Sequence, residues 1–338
     1  MDLSTRYLGL DLASPYMPGA SPLVDDLDTV RHLEDAGAPA IVMHSLFEEQ
    51  IQKEELGTFA NTESHGQSFA EAMSYFPSAD AYALGPYEYV EQLRRIKAAV
   101  GVPVIASLNG SSIGGWLDYA KLLQEAGADA LELNVYALET DFEIDGRTVE
   151  ERTVEMLRLV KEKVSVPVAV KLSPFYSSLA HFASRLAGAG ADGLVLFNRF
   201  YQPDIDVEKL QVERALRLSD RTELPLRLRW LAVLSGSLEC GFAASGGVHT
   251  YLDGIKALMA GAHAVQLVSA LLQRGPGYLA TLRAETARFL EEHEYESLGQ
   301  LRGSMNLASC PDPAAYERAN YMLILQSWRS SAGMFRFQ

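Results

Sequence analysis

The sequence predicts a single (β/α)8 barrel, on three observations: one helix-to-strand junction recurs four times, short apolar strands alternate with helical patterns, and a glycine pair follows the seventh strand. The junction reads AGAPAIVMHS at 36–45, AGADALELN at 126–134, AGADGLVLFN at 189–198 and AGAHAVQLVS at 260–269. Each is a helix end, a glycine that takes the left-handed cap conformation without steric penalty, and an apolar run suited to a strand buried on both faces. A second strand entry, GVPVIAS at 101–107 and SVPVAVKLS at 165–173, places proline where no ladder hydrogen bond is needed. A doubly wound open sheet would carry its glycine fingerprint after an early strand, so the barrel is preferred.

In chain order, strands are predicted at 16–20, 40–44, 104–107, 130–134, 168–171, 193–197, 241–245 and 264–267. Helices are predicted at 113–125, from Thr148 with Glu151 in the capping-box position, and at 177–187, 226–238 and 250–259. The barrel takes up residues 1–304. An insertion at 46–87, rich in Glu, Ser and aromatic residues, leaves the face where barrel active sites lie and reads as a lid. An extension at 305–338 carries an amphipathic helical pattern at 313–328 and ends in SSAGMFRFQ; it is read as a helix packed on the barrel, with a partner-binding arm as the alternative.

Composition narrows the function. The 338 residues carry a formal charge of -15, which opposes non-specific binding to nucleic acid or anionic membrane. The ligand is therefore expected to be small, or the partner a protein. Cys240 and Cys310 are the only cysteines and form no Cys-x-x-Cys pair, so zinc, iron–sulfur and disulfide frameworks lack their ligands. The opening MDLSTRYLGLDL has no signal-peptide pattern and no run approaches the ~20 apolar residues of a membrane span. A cytoplasmic protein is expected.

The predicted strands end in polar groups: Ser21, His44 with Ser45, Asn109, Asn134, Lys171, Asn198, then Ser245 with Gly246 and Gly247, and Ser269. An isolated Asn or Ser there is usually a capping residue, but a full ring at the C-terminal face marks a site. The glycines of SGGV at 245–248, with the short helix expected at 268–271 in QLVSAL, present unpaired N–H groups that can hold a phosphate. Lys171 ends a buried strand, where a charge needs a partner or a purpose. Three readings stay open for it: a Schiff-base nucleophile, a fixed charge beside an anionic ligand, or an ion pair in the barrel mouth.

These segments together resemble the dihydroorotate dehydrogenases, especially the soluble class 1 enzymes, over residues 5–304. Pro18, Gly19, Ala20 and Ser21 are similar to the family's first strand, AGADALELN to its fourth, VPVAVKLSPF at 166–175 to its fifth, and SGGVHT with GAHAVQLVSAL to its flavin phosphate site. RGPGYL at 274–279 and EYESLGQLRGSM at 294–305 are similar to its closing helices. The resemblance implies bound flavin mononucleotide (FMN), with Ala20 and Ser21 on the flavin or its ribityl chain, Asn109 beside it, Lys171 at its N1/C2 edge, and Gly246, Gly247, Val268 and Ser269 on its phosphate. It implies that Asn134 touches both the flavin and the substrate and that Asn198 binds the substrate, with His44 and Arg199 at further substrate-side positions.

Several positions depart from the family. Where it has Asn-Leu-Ser-Cys-Pro-Asn, this chain reads Asn134, Val135, Tyr136, Ala137, Leu138, Glu139. Ala137 thus stands at the position of the proton-abstracting cysteine and can transfer no proton. Tyr136 and Glu139 are the candidate bases, although an unperturbed tyrosine pKa of ~10 suits that role poorly. His44 replaces a lysine, Arg199 a serine or threonine, and the lid segment reads MSYFP at 73–77. The expectation is an FMN-dependent oxidoreductase moving a hydride between flavin N5 and a small dihydropyrimidine-like or other carbonyl- or carboxylate-bearing substrate. The alternatives are an electron-transfer or non-catalytic flavoprotein docking on a redox partner, and a lyase using Lys171 as a Schiff base. A homodimer is a further expectation.

Overall fold

The computed structural model describes residues 1–52, 85–114, 117–136, 138–213, 216–317 and 321–326. Eight parallel strands form one sheet: β1 (Tyr16–Pro18), β2 (Ile41–Phe47), β3 (Val104–Asn109), β4 (Ala130–Asn134), β5 (Val168–Leu172), β6 (Gly193–Leu196), β7 (Gly241–Ser245) and β8 (Ala264–Leu267). Their order is β1-β8-β7-β6-β5-β4-β3-β2, and β1 meets β2 across a seam without a shared ladder. This is the (β/α)8 barrel. The four recurring junctions deliver their glycines as predicted, with φ of +89° at Gly37, +102° at Gly127, +97° at Gly190 and +113° at Gly261.

Side chains alternate across each strand, so residues two apart share a face. The lower interior is filled by small and branched residues, among them Val42, Ile105, Ala130, Ala169, Val195 and Ala243. An N-terminal hairpin, Thr5–Tyr7 paired with Leu10–Leu12, plugs this end and contributes Tyr7, Leu8 and Leu12. One step further along the same face, alanines give way to Glu132, Lys171, Ser245 and Gln266, all buried. The opposite face of the strands packs against the helices in the main apolar core.

The helices are α1 (Leu27–Asp35), α2 (Pro86–Ala99), α3 (Asp118–Glu125), α4 (Gly146–Lys163), α5 (Leu179–Gly188), α6 (Leu224–Ser235), α7 (Tyr251–Met259) and, after a short turn of helix at Ser269–Arg274, α8 (Tyr278–Glu292). The start of α4 corrects the sequence reading. Asp145, not Thr148, is its N-cap and accepts from Thr148 N at 2.7 Å, because the shorter carboxylate three residues upstream satisfies the first free N–H groups. A small hairpin between β6 and α6, Asp204–Asp206 with Gln211–Glu213, was not foreseen.

Of the predicted lid, residues 46 and 47 complete β2 and residues 86 and 87 open α2, while 53–84, including the MSYFP segment, lie outside the described residues. The extension is stitched to the outside of the barrel by Met305 N to Met259 O (2.9 Å) and Leu307 N to Ala232 O (2.8 Å). It then forms a 3-10 turn at Pro313–Tyr316, turns extended at Glu317, and resumes as a helix at Tyr321–Gln326, in place of one helix across 313–328. On that helix Tyr321, Met322 and Leu325 are exposed, so these side chains do not pack on the barrel. Residues 327–338 lie outside the described residues. Among the described residues no helix is long and apolar enough to cross a membrane, and no cluster of His, Cys, Asp and Glu is suited to a metal.

Candidate active-site cleft

A cleft of about 790 Å³ opens at the C-terminal ends of β1, β5, β6, β7 and β8. Of the residues singled out by sequence, Ala20, Ser21, Lys171, Asn198, Arg199, Gly246, Val268 and Ser269 line it. Its floor is a buried triad. Lys171 Nζ donates to Glu132 Oε1 (3.3 Å) and Gln266 Oε1 (3.2 Å), and Gln266 Nε2 donates to the other oxygen of Glu132. Taking two charges out of water costs several kcal/mol per ion, of order, unless they pair and hydrogen-bond, and here they do both. Lys171 therefore combines two of its three readings, as an ion-paired charge that borders the cleft. Glu132 and Gln266 were missed by sequence reasoning. The signal was the two-residue period, which puts Glu132 on the face of Asn134.

The glycine cradle stands at one end. Gly246 and Gly247 have φ of +87° and +80°, two successive positions in the backbone region that favours glycine. A Cβ on Gly247 would lie 2.6 Å from Leu224 N at the start of α6, and one on Gly246 would lie 2.9 Å from the Arg227 guanidinium. Arg227 escaped sequence reasoning because it lies within a helical pattern. It is buried behind the cradle, where Nε donates to Ser245 O and Nη1 to Glu223 O, each at 2.9 Å. Burial lowers its pKa and the Glu223 carboxylate, 3.2 Å from Nη2, opposes this. The long connection after β6 returns over the cradle, where Ser219 N donates to Ser269 Oγ at 3.0 Å and His249 Nε2 meets Ser219 O at 2.8 Å. Across the cleft, the buried Ser21 Oγ has no hydrogen-bond partner among the described residues.

A second chain of polar groups runs along the mouth from β6 to β3. Asn198 Nδ2 donates to Asn134 Oδ1 (2.7 Å), Asn134 Nδ2 donates to Ser45 Oγ (3.3 Å), and Ser45 Oγ meets Ser107 Oγ (2.8 Å). Asn109 is buried in register with Asn134. Glu48 supports the loop beyond Asn109 by accepting from Ser111 N at 3.0 Å.

The remaining candidates point elsewhere. His44 occupies an irregularity in β2 between Val42 and Ser45, with Nδ1 2.6 Å from Asp25 Oδ1, out of line for a hydrogen bond, and its ring edge-on to Tyr89. Burial lowers its pKa and Asp25 pulls it back up. Tyr136 stacks on Phe200 and its OH accepts from Tyr201 N at 3.3 Å. Glu139 is ion-paired with Arg152 at 3.0 Å and faces a separate cavity of about 1140 Å³ beside Phe175 and Phe200. Ala137 lies outside the described residues.

Comparison with known proteins is consistent with this geometry. Residues 81–290 match the family model for dihydroorotate dehydrogenase. The chain is 28% identical over 313 residues to a protein of Thermoplasma acidophilum named dihydroorotate dehydrogenase B (NAD(+)), catalytic subunit, covering 89% of this chain and 98% of that one. It is 28% identical over 301 residues to a Methanosarcina acetivorans protein of the same name, covering 87% and 93%. A putative dihydroorotate dehydrogenase A (fumarate) of Aeropyrum pernix is 30% identical over 222 residues, covering 64% and 72%.

Proposed function

Because the chain belongs to the dihydroorotate dehydrogenase family, we propose that it is an FMN-dependent oxidoreductase acting on a CH–CH bond of a small dihydropyrimidine-like or other carbonyl- or carboxylate-bearing substrate. The carrying observation is the pairing, within one cleft, of Gly246 of the glycine cradle with the buried Ser21 Oγ, which has no hydrogen-bond partner among the described residues. A phosphate at one end and a hydrogen-bonding ring at the other satisfy both, so the residues present fit FMN. Gly246, Gly247, Val268 and Ser269 would hold its phosphate, Ala20, Ser21 and Asn109 its remainder, and Lys171 would set a positive charge beside it. Bound there, FMN supplies the hydride acceptor of the oxidation.

The chain itself must position the substrate and take up a proton. Asn134 and Asn198, locked to each other, orient amide and carboxyl groups, with Arg199 beside Asn198 in the cleft, while His44 is turned to Asp25 and Tyr89. Ala137 can accept no proton. Tyr136 or Glu139 serves as base only by giving up its contact with Tyr201 or Arg152, so Tyr136→Phe and Glu139→Gln separate the two by which one abolishes flavin reduction.

The test is the absorption spectrum of the purified protein, followed by anaerobic addition of dihydroorotate and related dihydro-compounds. Stoichiometric FMN bleached by one of them is the expected result; a colourless protein that binds no FMN refutes the reading. Rapid bleaching by dihydroorotate itself would make that the substrate despite Ala137. The Lys171–Glu132 ion pair favours a fixed charge over a Schiff base, and trapping of a carbonyl compound on Lys171 by borohydride would reverse that. The second reading, electron exchange with a docked redox protein, draws on the exposed Tyr321, Met322 and Leu325 of the tail helix. It requires bound flavin to accept electrons from a protein donor while ignoring every small dihydro-compound. The exposed cross-strand pair Ile205 and Val212 offers a surface for a second subunit.

A further inference from the structure

We propose that Arg199 is a specificity-determining residue that binds an oxyanion, a carboxylate or a phosphate, carried into the cleft by its ligand; this rests on the reading of the cleft as the ligand site. Arg199 follows Asn198 at the end of β6 and stands between the main cleft and a neighbouring cavity of about 750 Å³, lining both. It therefore meets whatever fills the cleft and whatever extends out of it.

The cations around the cleft are not equally partnered. Lys171 is matched by Glu132. Arg227 is matched by Glu223 at 3.2 Å and by two backbone carbonyls. Among the described residues Arg199 is ion-paired with the same Glu223 alone, and at 3.7 Å that contact is too long for a hydrogen bond. Two guanidinium groups thus share the Glu223 carboxylate at ion-pair distance. Asp220 also lies within electrostatic reach of Arg199, but its carboxylate is exposed and accepts from Thr222 N at 2.7 Å.

Hydrogen bonding gives the same result independently. Arg199 Nη1 is buried and, among the described residues, has no acceptor. The guanidinium carbon lies 5.6 Å from the centre of the Tyr201 ring, a cation–π contact that supplies no hydrogen-bond acceptor for Nη1 in the plane of the guanidinium. Buried donors in native proteins are almost always paired, and an unpaired one at a cleft wall marks where a ligand acceptor belongs. A guanidinium edge presents two parallel N–H groups, the geometry that carboxylate and phosphate accept in bidentate fashion. Neutral carbonyl ligands would satisfy the donor but leave the charge.

Two sources can bring such a group: the phosphate of the flavin, or an acid group of the substrate. Two ligand pairs separate them, each differing by one anion: FMN against riboflavin, and orotate against uracil. Binding of all four is measured by titration calorimetry to the wild type, Arg199→Gln and Arg199→Lys, with thermal unfolding as the control for folding. We expect Arg199→Gln to weaken the anionic member of one pair by at least ~10-fold, the scale of a charge-assisted hydrogen bond, and to leave its neutral counterpart within about twofold. Arg199→Lys should recover part of the loss. A selective loss of FMN assigns the flavin phosphate, and a selective loss of orotate assigns a substrate carboxylate. The proposal is overturned if Arg199→Gln leaves both anionic ligands as in the wild type, including the case in which the wild type binds neither orotate nor uracil and FMN is unaffected. Wild-type protein that binds neither flavin would defeat the FMN reading by itself, while the orotate and uracil titrations would still read Arg199.

Discussion

The two sides of the barrel mouth are made of different material. On the β7–β8 side the cleft is lined by backbone or short side chains at strand ends, among them Gly246 and Ser269, backed by the buried Arg227. On the β4–β6 side they stand on longer connections, and Tyr136, Glu139, Phe200 and Tyr201 spend their contacts on one another or on Arg152. A cradle built from strand geometry cannot change without disturbing the barrel, whereas side chains on loops are exchanged freely. That asymmetry accords with the proposed function, in which the cradle is the flavin side and Arg199, on the connection after β6, belongs to the more variable substrate side.

The Glu132–Lys171–Gln266 triad ties the two sides together, and breaking it gives the largest expected effect. Glu132→Ala leaves a buried, unpaired ammonium, and equilibrium unfolding in urea should show a loss of about 3–5 kcal/mol. A loss under ~1 kcal/mol would mean that Lys171 reaches water through the cleft, and the two sides would then be energetically separate. Next is Gly247→Ala. A left-handed non-glycine residue costs about 1–3 kcal/mol, and here the new Cβ also meets Leu224 N at 2.6 Å. FMN retained after gel filtration should fall sharply, while Tyr136→Phe should retain it. Equal retention in both would remove the distinction between a rigid side and a replaceable one.

The same contrast governs what was legible in the sequence. The barrel was readable because its Ala-Gly-Ala junctions encode a local necessity, a helix stop before a buried strand, and the cradle because its glycines have few other uses. Glu132 and Gln266 were hidden inside apolar strands, where a polar residue reads as noise until its partner on another strand is known. Arg227 was hidden by helix periodicity, since only tertiary packing turns that face toward Ser245 O. The Asp204–Asp206 and Gln211–Glu213 hairpin was obscured by its charges, although Ile205, Val207 and Val212 alternate as strand residues do. For Tyr136 and Glu139, sequence proximity to the missing base said nothing of direction, which Tyr201 and Arg152 decide.

Acid provides a smaller perturbation aimed away from the mouth. His263, at the entry to β8, has its pKa pushed down to about 4 by burial, with Arg302 adding to the effect, and its Nδ1 accepts from Phe242 N at 3.1 Å. The folded chain refuses a proton that the unfolded chain binds at its ordinary value of ~6.5. Stability should therefore be fully present above pH ~6.5 and fall as the pH drops toward 4, by at most ~1.4 kcal/mol per unit from this group. Urea unfolding at several pH values, with His263→Gln as the comparison, checks this. If the variant keeps the full slope, the acid sensitivity arises elsewhere, with His44 at the β1–β2 seam the next group to test, since burial lowers its pKa in the same direction.

The smallest expected effect separates the two sides most cleanly. In the chain Asn198 to Asn134 to Ser45 to Ser107, Asn198 donates to Asn134 and Asn134 to Ser45, whose hydroxyl meets that of Ser107, which fixes the Asn134 amide with its oxygen toward Asn198 and its nitrogen toward Ser45. Ser45→Ala removes the acceptor for Asn134 Nδ2, so global stability should fall by only about 1 kcal/mol. The functional consequence is larger and one-sided. A released Asn134 amide can rotate, and substrate affinity should weaken while FMN affinity stays within about twofold, because among the described residues no side-chain hydrogen bond joins this chain to Gly246, Gly247 or Ser269. Titration of both ligands to the variant measures the division directly. A parallel loss of FMN would show that the mouth responds as one network, with the hydrogen-bonded chain, and not the strand geometry alone, holding the cofactor side in shape.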